Sequence, residues 1–561
     1  MHAGALSSLT LLLGLALVGC GGGGGGPETP LPAGGRDDPT VYSSQPGASL
    51  AGAEEAAAVT SHRLLLDGRE LAYTATAGHL IARDPVAGAA QASLFYVAYT
   101  LDGSEAATRP VTVFYNGGPG SASVWLHLGS FGPKRLVTGV PATTAARPFP
   151  LVDNTHSLLA TTDLVFLNAV GSGRSQAIAP FRNQDFWGVD VDAALFRDAI
   201  ARWLDLNGRR ASPLFLYGES YGGPRTAVLA RRLQEAGLPP AGLVLQSPAL
   251  DYNSNCSVTA TAGVSCAGYL PSYAATGAWH GRSTPVPAEG EVDAWVAAAQ
   301  AATDSTYAPA LQAWLDQGQA APTLWQPLAD LTGLPAGTWQ TSFNLGPTPY
   351  RQQLLPGQLL GRYDARMLAP VGSPLAAEGD PSSTWLTSSF QTAINSYLRD
   401  TLGYRNSSTY VMLSNAIQTW DFSHAGRALP DTVPDLAAAL AADPALRVLA
   451  VSGRHDLATP FHLTQTDLAR LGSDRVQALH YPGGHMSFLD DGTRPRQRAD
   501  VAAFITGAAA ARPARRVPLA ARPGPVPDRA GVPAAAAGLP LHEPAVQAPM
   551  RDPWVPQRPG R

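Results

Sequence analysis

The sequence predicts an α/β protein with a mostly parallel central sheet, interrupted by a mostly helical insertion. Three observations lead there. First, "PLFLYG", "PRTAVLARRLQEAG" and "AGLVLQSPAL" read as strand, helix and strand, a βαβ unit that implies parallel pairing. Second, from about Asn255 to Arg405 strong strand alternation stops and helical stretches such as "EVDAWVAAAQAAT" and "YAPALQAWLDQG" take over. Third, sheet-like signal returns at "LRVLAVSGRHD" and "RVQALHYPGGH".

The chain begins with an apolar run from about Ala5 to Gly19, too short to span a bilayer comfortably and suited to a secretory h-region. Leu17-Val18-Gly19-Cys20 resembles a bacterial lipobox, in which Cys20 takes a lipid and becomes the new N-terminus. The n-region carries no Lys or Arg, a departure from that pattern. Residues 1–20 are therefore expected to be a lipoprotein signal, and the glycines from Gly21 to Gly26 a tether. Residues 21–58 read as a flexible Gly/Pro-rich linker. The first part of the core is placed at 59–254. It opens with alternation around Asp67-Gly68, a hairpin signal. "TTDLVFLNAVGSG" is an apolar strand ending in a Gly-rich turn, and "VDAALFRDAIARWLDLNG" has helical periodicity. The helical cap is placed at 255–404 and the second part of the core at 405–508, closed by the helix "RQRADVAAFITGAA". The Pro/Ala/Arg-rich residues 509–561 cannot bury enough surface to order themselves.

Of the 561 residues, 45% are hydrophobic and 15% charged, enough for a large core, and the net charge is -4. No basic stripe inside the predicted fold suggests a nucleic-acid partner. Membrane contact is expected only through the lipid anchor, which places an exported protein at the cell envelope. With Cys20 assigned, Cys256 and Cys266 remain, and export favours a short-loop disulfide between them over two reduced thiols. Partner ligands for a metal are absent nearby, so neither metal nor cofactor is expected.

Gly218-Glu219-Ser220-Tyr221-Gly222 matches G-x-S-x-G, with a strand before it and a helix after it. That is the nucleophile elbow of the α/β-hydrolase fold, which exposes a serine at the sheet edge above a helix N-terminus. A serine needs a base, and the base an orienting acid. Asp456 ends a strand downstream, and His485 sits in a Gly-flanked loop farther on. The Asp456-to-His485 interval suits one βα unit. The Ser220-to-Asp456 interval is far longer and agrees with an inserted cap. His455 competes for the base role but shares a turn with Asp456, and His127, His280, His424 and His480 lack this context. Oxyanion N–H groups are expected from Tyr221 and from the loop "YNGGPGSAS".

"NGGPGSAS", "LVFLNAVGSG", "GESYGG", "GRHD" and "GGHM", in this order, resemble the serine carboxypeptidases, peptidase family S10, over about 60–508. "YLPSYAATGAWHG" resembles the bacterial branch. The resemblance implies an α/β-hydrolase core with a cap and release of C-terminal residues from peptides or proteins. It makes Ser220 the nucleophile, Asp456 the orienting acid and His485 the base. Gly118 and Tyr221 would supply the oxyanion N–H groups. Asn116 and Glu219 would bind the substrate's C-terminal carboxylate, and Met486 would line the leaving-residue pocket. Several positions depart from the family's pattern. Phe114 replaces a tryptophan, Arg454 the first acid of the G-D-x-D turn, and Asn168 and Ser172 the acid and threonine of D-x-V-G-T-G. Ser487 and Phe488 replace a valine and a proline.

A carboxylate beside a nucleophile should repel the oxyanion. Glu219 fits the role only when protonated, because two carboxylates in hydrogen-bond contact cannot both ionise cheaply. Acidic pH is therefore expected to favour activity. An esterase, amidase or acyltransferase of the same fold is the alternative. A non-catalytic, peptide-binding surface lipoprotein is the alternative from another class.

Overall fold

The computed structural model describes residues 34–258 and 263–511. The expected signal, Cys20 with its expected lipid, the expected tether and the tail beyond 511 lie outside the described residues. A ten-stranded sheet organises the rest. Its strands are β1 (Ala57–Leu66), β2 (Arg69–Arg83), β3 (Ala90–Leu101), β4 (Val111–Tyr115), β5 (Asp163–Leu167), β6 (Gln176–Ala177), β7 (Leu214–Glu219), β8 (Gly242–Gln246), β9 (Arg447–Gly453) and β10 (Val476–Tyr481). The spatial order is β10-β9-β8-β7-β4-β5-β3-β2-β1, with β6 pairing β3. From β10 to β5 all pairings are parallel, and from β5 to β1 all are antiparallel. The β1–β2 hairpin turns at Asp67 and Gly68, both at positive φ, as a two-residue loop requires. This is an α/β-hydrolase fold.

The parallel strands are buried on both faces, which explains their unbroken apolar runs. Alternate residues supply two separate core layers. Val113, Tyr115, Leu216 and Leu245 face one layer, with the helices α1 (Val189–Leu206) and α2 (Gly222–Glu235). Phe114, Phe166, Phe215 and Tyr217 face the other.

Between the two parts of the core lie the helices α3 (Leu270–Trp279) and α4 (Val292–Ala302) and several shorter ones. A third apolar cluster forms there around Tyr273, Leu311, Trp339 and Tyr350. Cys256 and Cys266 form a disulfide at its base, with Cα atoms 5.4 Å apart.

Two boundaries read from the sequence need correction. Residues 34–56 are not linker. Leu50 pairs with the β6 edge through its N–H to the Ala177 carbonyl (2.8 Å) and is buried against Ile81 and Ile178. Tyr42 stacks on His79 at 4.6 Å, Asp38 accepts a hydrogen bond from Tyr42 (2.9 Å), and Glu55 pairs with Arg202. The segment is held by scattered polar anchors and one small apolar cluster, so no periodic pattern announces it. The helix α5 (Pro381–Ser396), assigned above to the cap, buries Trp385, Leu386, Phe390 and Ile394 in the second core layer.

Leu50→Ala should therefore lower stability by about 2 kcal/mol, as expected for truncation in a packed cluster. Chemical denaturation checks this, since a true linker residue would cost nothing.

Candidate active site

The elbow is built by close approach. A Cβ at Gly218 would lie 2.2 Å from the Gly222 carbonyl oxygen, so only glycine permits β7 to turn directly into α2. Ser220 takes φ 61°, a strained value that lifts its side chain off the sheet. The neighbouring loop comes just as near. A Cβ at Gly117 would fall 2.4 Å from the Tyr221 nitrogen. This brings the backbone around Gly118 beside the Tyr221 N–H, the two groups expected to bind an oxyanion. The Tyr221 side chain points away into the core, where its hydroxyl accepts a hydrogen bond from Trp420 (3.2 Å).

His485 and Asp456 meet at 2.7 Å between Nδ1 and Oδ2. Asp456 is fully buried and amply supplied with donors. Its Oδ1 accepts the N–H groups of Ala458 (2.7 Å) and Thr459 (3.1 Å), and its Oδ2 accepts the Thr459 hydroxyl (2.8 Å). Burial alone would lower the His485 pKa, but the facing Asp456 carboxylate more than offsets this and raises it. With the Nδ1 proton directed at Asp456, Nε2 is the nitrogen left to serve Ser220. Ser247 (2.8 Å) and Gln246 (3.0 Å) donate to the His485 carbonyl and fix its loop.

Asn116 donates from Nδ2 to Glu219 Oε1 at 2.6 Å, and its own Oδ1 accepts the Leu126 N–H (3.1 Å). The second oxygen, Glu219 Oε2, is buried and has no partner. Burial pushes the Glu219 carboxyl up to about 7, against the opposing pull of His485 and the Asn116 hydrogen bond. Asn116, Gly118, Glu219, Ser220, His485 and Met486 line one cavity of about 510 Å³ of empty volume, open mouth included. Trp125, Tyr363, Leu386 and Leu413 make the rest of its wall largely apolar, with Gly117, Ser121 and Ser383 between them. No motif identified these four, because three arrive from cap or loop segments whose position depends on the folded whole.

The competing histidines have other partners. His455 is buried, with Thr276 at 3.5 Å and Trp279 edge-on, and burial holds it well below the usual imidazole range. His127 bonds Tyr99 (2.5 Å), His280 the Ala365 carbonyl (2.8 Å), His424 the carboxylates of Asp190 and Asp435, and His480 receives Arg454 (3.0 Å). The sequence departures also acquire roles. Arg454 reaches Asp293 on α4 (2.5 Å), tying cap to core. Asn168 accepts the Ser123 N–H (2.7 Å) and hydroxyl (2.8 Å). Ser172 bonds the Ala169 carbonyl (2.8 Å), Ser487 bonds Gln497 (2.9 Å), and Phe488 is fully buried. Phe114 is stacked between Phe166 (4.9 Å) and Tyr217 (4.8 Å) beneath the sheet, away from the cavity.

A serine on a strained elbow, sharing a cavity with an aspartate-oriented histidine, defines a serine hydrolase. Residues 68–238 match the family model of the serine carboxypeptidases, Peptidase_S10. The matched stretch includes Asn116, Gly118, Glu219, Ser220 and Tyr221, while Asp456 and His485 lie beyond it. No curated protein sequence matches the chain significantly. Among solved structures, a prohormone-processing carboxypeptidase from Saccharomyces cerevisiae is similar, with 13% identity and a TM-score of 0.48, over 77% of this chain and 91% of that one. A proline iminopeptidase from Mycobacterium smegmatis is 16% identical, with a TM-score of 0.33, over 77% and 99% respectively.

Behind the elbow, fully buried Arg225 donates to Asp192 (2.6 Å) and to the Asn116 carbonyl (2.6 Å). Arg225→Met would leave Asp192 buried without its counter-charge, and should cost about 3 kcal/mol or more near neutral pH. Burial already raises the Asp192 pKa, and losing the arginine raises it further. The variant's deficit should therefore shrink as falling pH protonates Asp192. Urea unfolding at two pH values reads both effects.

Proposed function

We propose that the protein releases C-terminal residues from peptides or proteins through an acyl-enzyme, with acidic pH favouring the reaction. One observation carries this reading. The buried, unpartnered Glu219 Oε2 stands beside Asn116 in the cavity that holds Ser220 and His485. A neutral carboxyl there donates its proton to a substrate carboxylate, while the Asn116 amide holds Glu219 in place. A substrate's terminal carboxylate seated on this pair leaves its last side chain against Trp125, Leu386, Leu413 and Met486.

Ser220 Oγ then attacks the last peptide carbonyl carbon and passes its proton to His485 Nε2. The N–H groups of Gly118 and Tyr221 receive the developing oxyanion. As the C–N bond breaks, His485 protonates the departing amine, and the C-terminal residue leaves. Water, deprotonated by His485, attacks the Ser220 ester. The acyl peptide departs as a free acid and the proton returns to Ser220.

The pH dependence follows from Glu219. Its raised pKa keeps it protonated up to about 7, so recognition of a free carboxylate is present below that value and lost as pH rises through it. Peptides should show this fall in kcat/KM. Substrates with an amide or ester in place of the terminal carboxylate should not. In Glu219→Gln the alkaline fall should disappear for free peptides. An unchanged profile would refute the role of Glu219. Equal cleavage of a peptide and its C-terminal amide would instead favour an esterase or amidase. An active-site serine phosphonate should label the protein and fail on Ser220→Ala, whereas a non-catalytic binding lipoprotein would not label.

The proposal extends to location. The lipobox-like Leu17-Val18-Gly19-Cys20 and the Cys256–Cys266 bridge support an exported, envelope-anchored enzyme. Cys20→Ala should move the protein from the membrane fraction to the soluble one.

A further inference from the structure

The cap sends one looped segment, residues 361–367, against the two loops of the triad. The Arg362 carbonyl accepts the Leu457 N–H (2.9 Å), next to Asp456. The Tyr363 carbonyl accepts the N–H of His485 itself (2.6 Å), and the Ala365 N–H donates to the His455 carbonyl (2.9 Å). The Tyr363 ring meets the His485 ring at 4.9 Å and forms part of the cavity wall. Arg362 does not line that cavity. Its guanidinium lies 5.4 Å from the centre of the Tyr363 ring and donates to the Tyr363 hydroxyl (3.2 Å). It is half-buried, and among the described residues it enters no ion pair. The groups that feel its charge are Tyr252, Tyr269, Tyr363, Asp380, Asp456 and His485, together with the like-charged Arg351.

A peptide whose last residue fills the cavity must carry its acyl part past Ser220 and out of that cavity. Arg362 stands behind the cavity wall, beside the triad, with donor capacity unspent. We propose that Arg362 selects an acidic side chain on the residue just before the cleaved bond, so that peptides with penultimate Asp or Glu are preferred substrates. The carboxylates already nearby act on Arg362 at a distance, and among the described residues neither forms an ion pair with its guanidinium, so its donors stay available to a substrate. Asp456 is fully buried and saturated by Ala458, Thr459 and His485. Asp380 caps α5 through Oδ1, which accepts the N–H groups of Arg362 (3.0 Å) and Ser382 (3.0 Å), while its buried Oδ2 has no partner. A half-buried guanidinium discriminates planar carboxylates by charge and by paired donors, which an ammonium guest cannot satisfy.

This inference rests on the carboxypeptidase reading, and the experiment separates the two. Matched peptides differing only at the penultimate position, Glu, Gln or Lys, are compared by kcat/KM. The same acyl parts are also offered as methyl esters. The wild type should favour Glu over Lys by about tenfold, the scale of one partly screened charge contact. Arg362→Gln should bring the ratio near unity and Arg362→Glu should invert it. The preference for the leaving residue should be unaltered, and phosphonate labelling reports that each variant is folded. A wild type indifferent to penultimate charge, or an Arg362→Glu enzyme that keeps the original ratio, overturns the proposal. If only the esters are cleaved, the carboxypeptidase reading fails while the ratio still tests Arg362.

Discussion

The site depends on one short hydrogen bond, from the Asn116 amide to the Glu219 carboxyl at 2.6 Å. It joins the end of β4 to the end of β7, two adjacent parallel strands, and so fixes the nucleophile relative to the glycine loop. Both partners are held from behind. Arg225 takes the Asn116 carbonyl, and the Gly218 turn into α2 fixes Glu219 and Ser220 in sequence. Since the bond uses only one of two carboxyl oxygens, the other is presented, buried and unpaired, to the cavity. An unsatisfied buried polar atom normally costs stability. Here, on the proposed reading, it is the atom that a substrate's terminal carboxylate would satisfy.

The cap is more than a cover. Its 361–367 segment is bonded to both triad loops, and Arg454 in the Asp456 turn reaches across to Asp293 on α4. The triad geometry is therefore a joint product of core and cap. Arg454 stands where the resembled pattern has an acid, and here it ties the Asp456 turn to α4. Asn168 and Ser172 likewise keep their loop closed through Ser123 and the Ala169 carbonyl. Each of these side chains finds a partner of its own.

Much of this was legible in the chain because local constraints leave local marks. The elbow needs glycines at fixed spacing, and a parallel strand buried on both faces needs an unbroken apolar run, so 214–246 could be read directly. The order of Ser220, Asp456 and His485 follows from strand ends that show as apolar runs before turns. The hairpin at Asp67-Gly68 was marked by a residue pair that favours the positive φ its turn requires. What escaped depends on distant contacts. Residues 34–56 hold on through single polar anchors such as Asp38 and Glu55, which carry no period. The helix α5 is amphipathic like its cap neighbours, and nothing in its own sequence says which core it packs against. Trp125, Tyr363, Leu386 and Leu413 become one wall only after the chain has closed, so composition could not group them.

The apparent conflict between a carboxyl group and a nucleophile resolves through the proton count. Glu219 and His485 sit in one buried site, and each shifts the other: the imidazole's charge favours the carboxylate, and the carboxylate's charge favours the imidazolium. With one proton between them, the site has two arrangements, and such coupled groups titrate as a pair. Only the arrangement with the proton on Glu219 leaves His485 Nε2 free to act as base. On the proposed reading, a substrate carboxylate arriving at the unpaired oxygen favours that arrangement, because it needs a donor there and would be repelled by a second anion. Binding of the correct terminus thus places the proton where attack by Ser220 requires it. A substrate with a blocked terminus binds without exerting this bias. On this account, recognition of the terminus and activation of the base are one electrostatic event, governed by the neighbour of the nucleophile in the sequence.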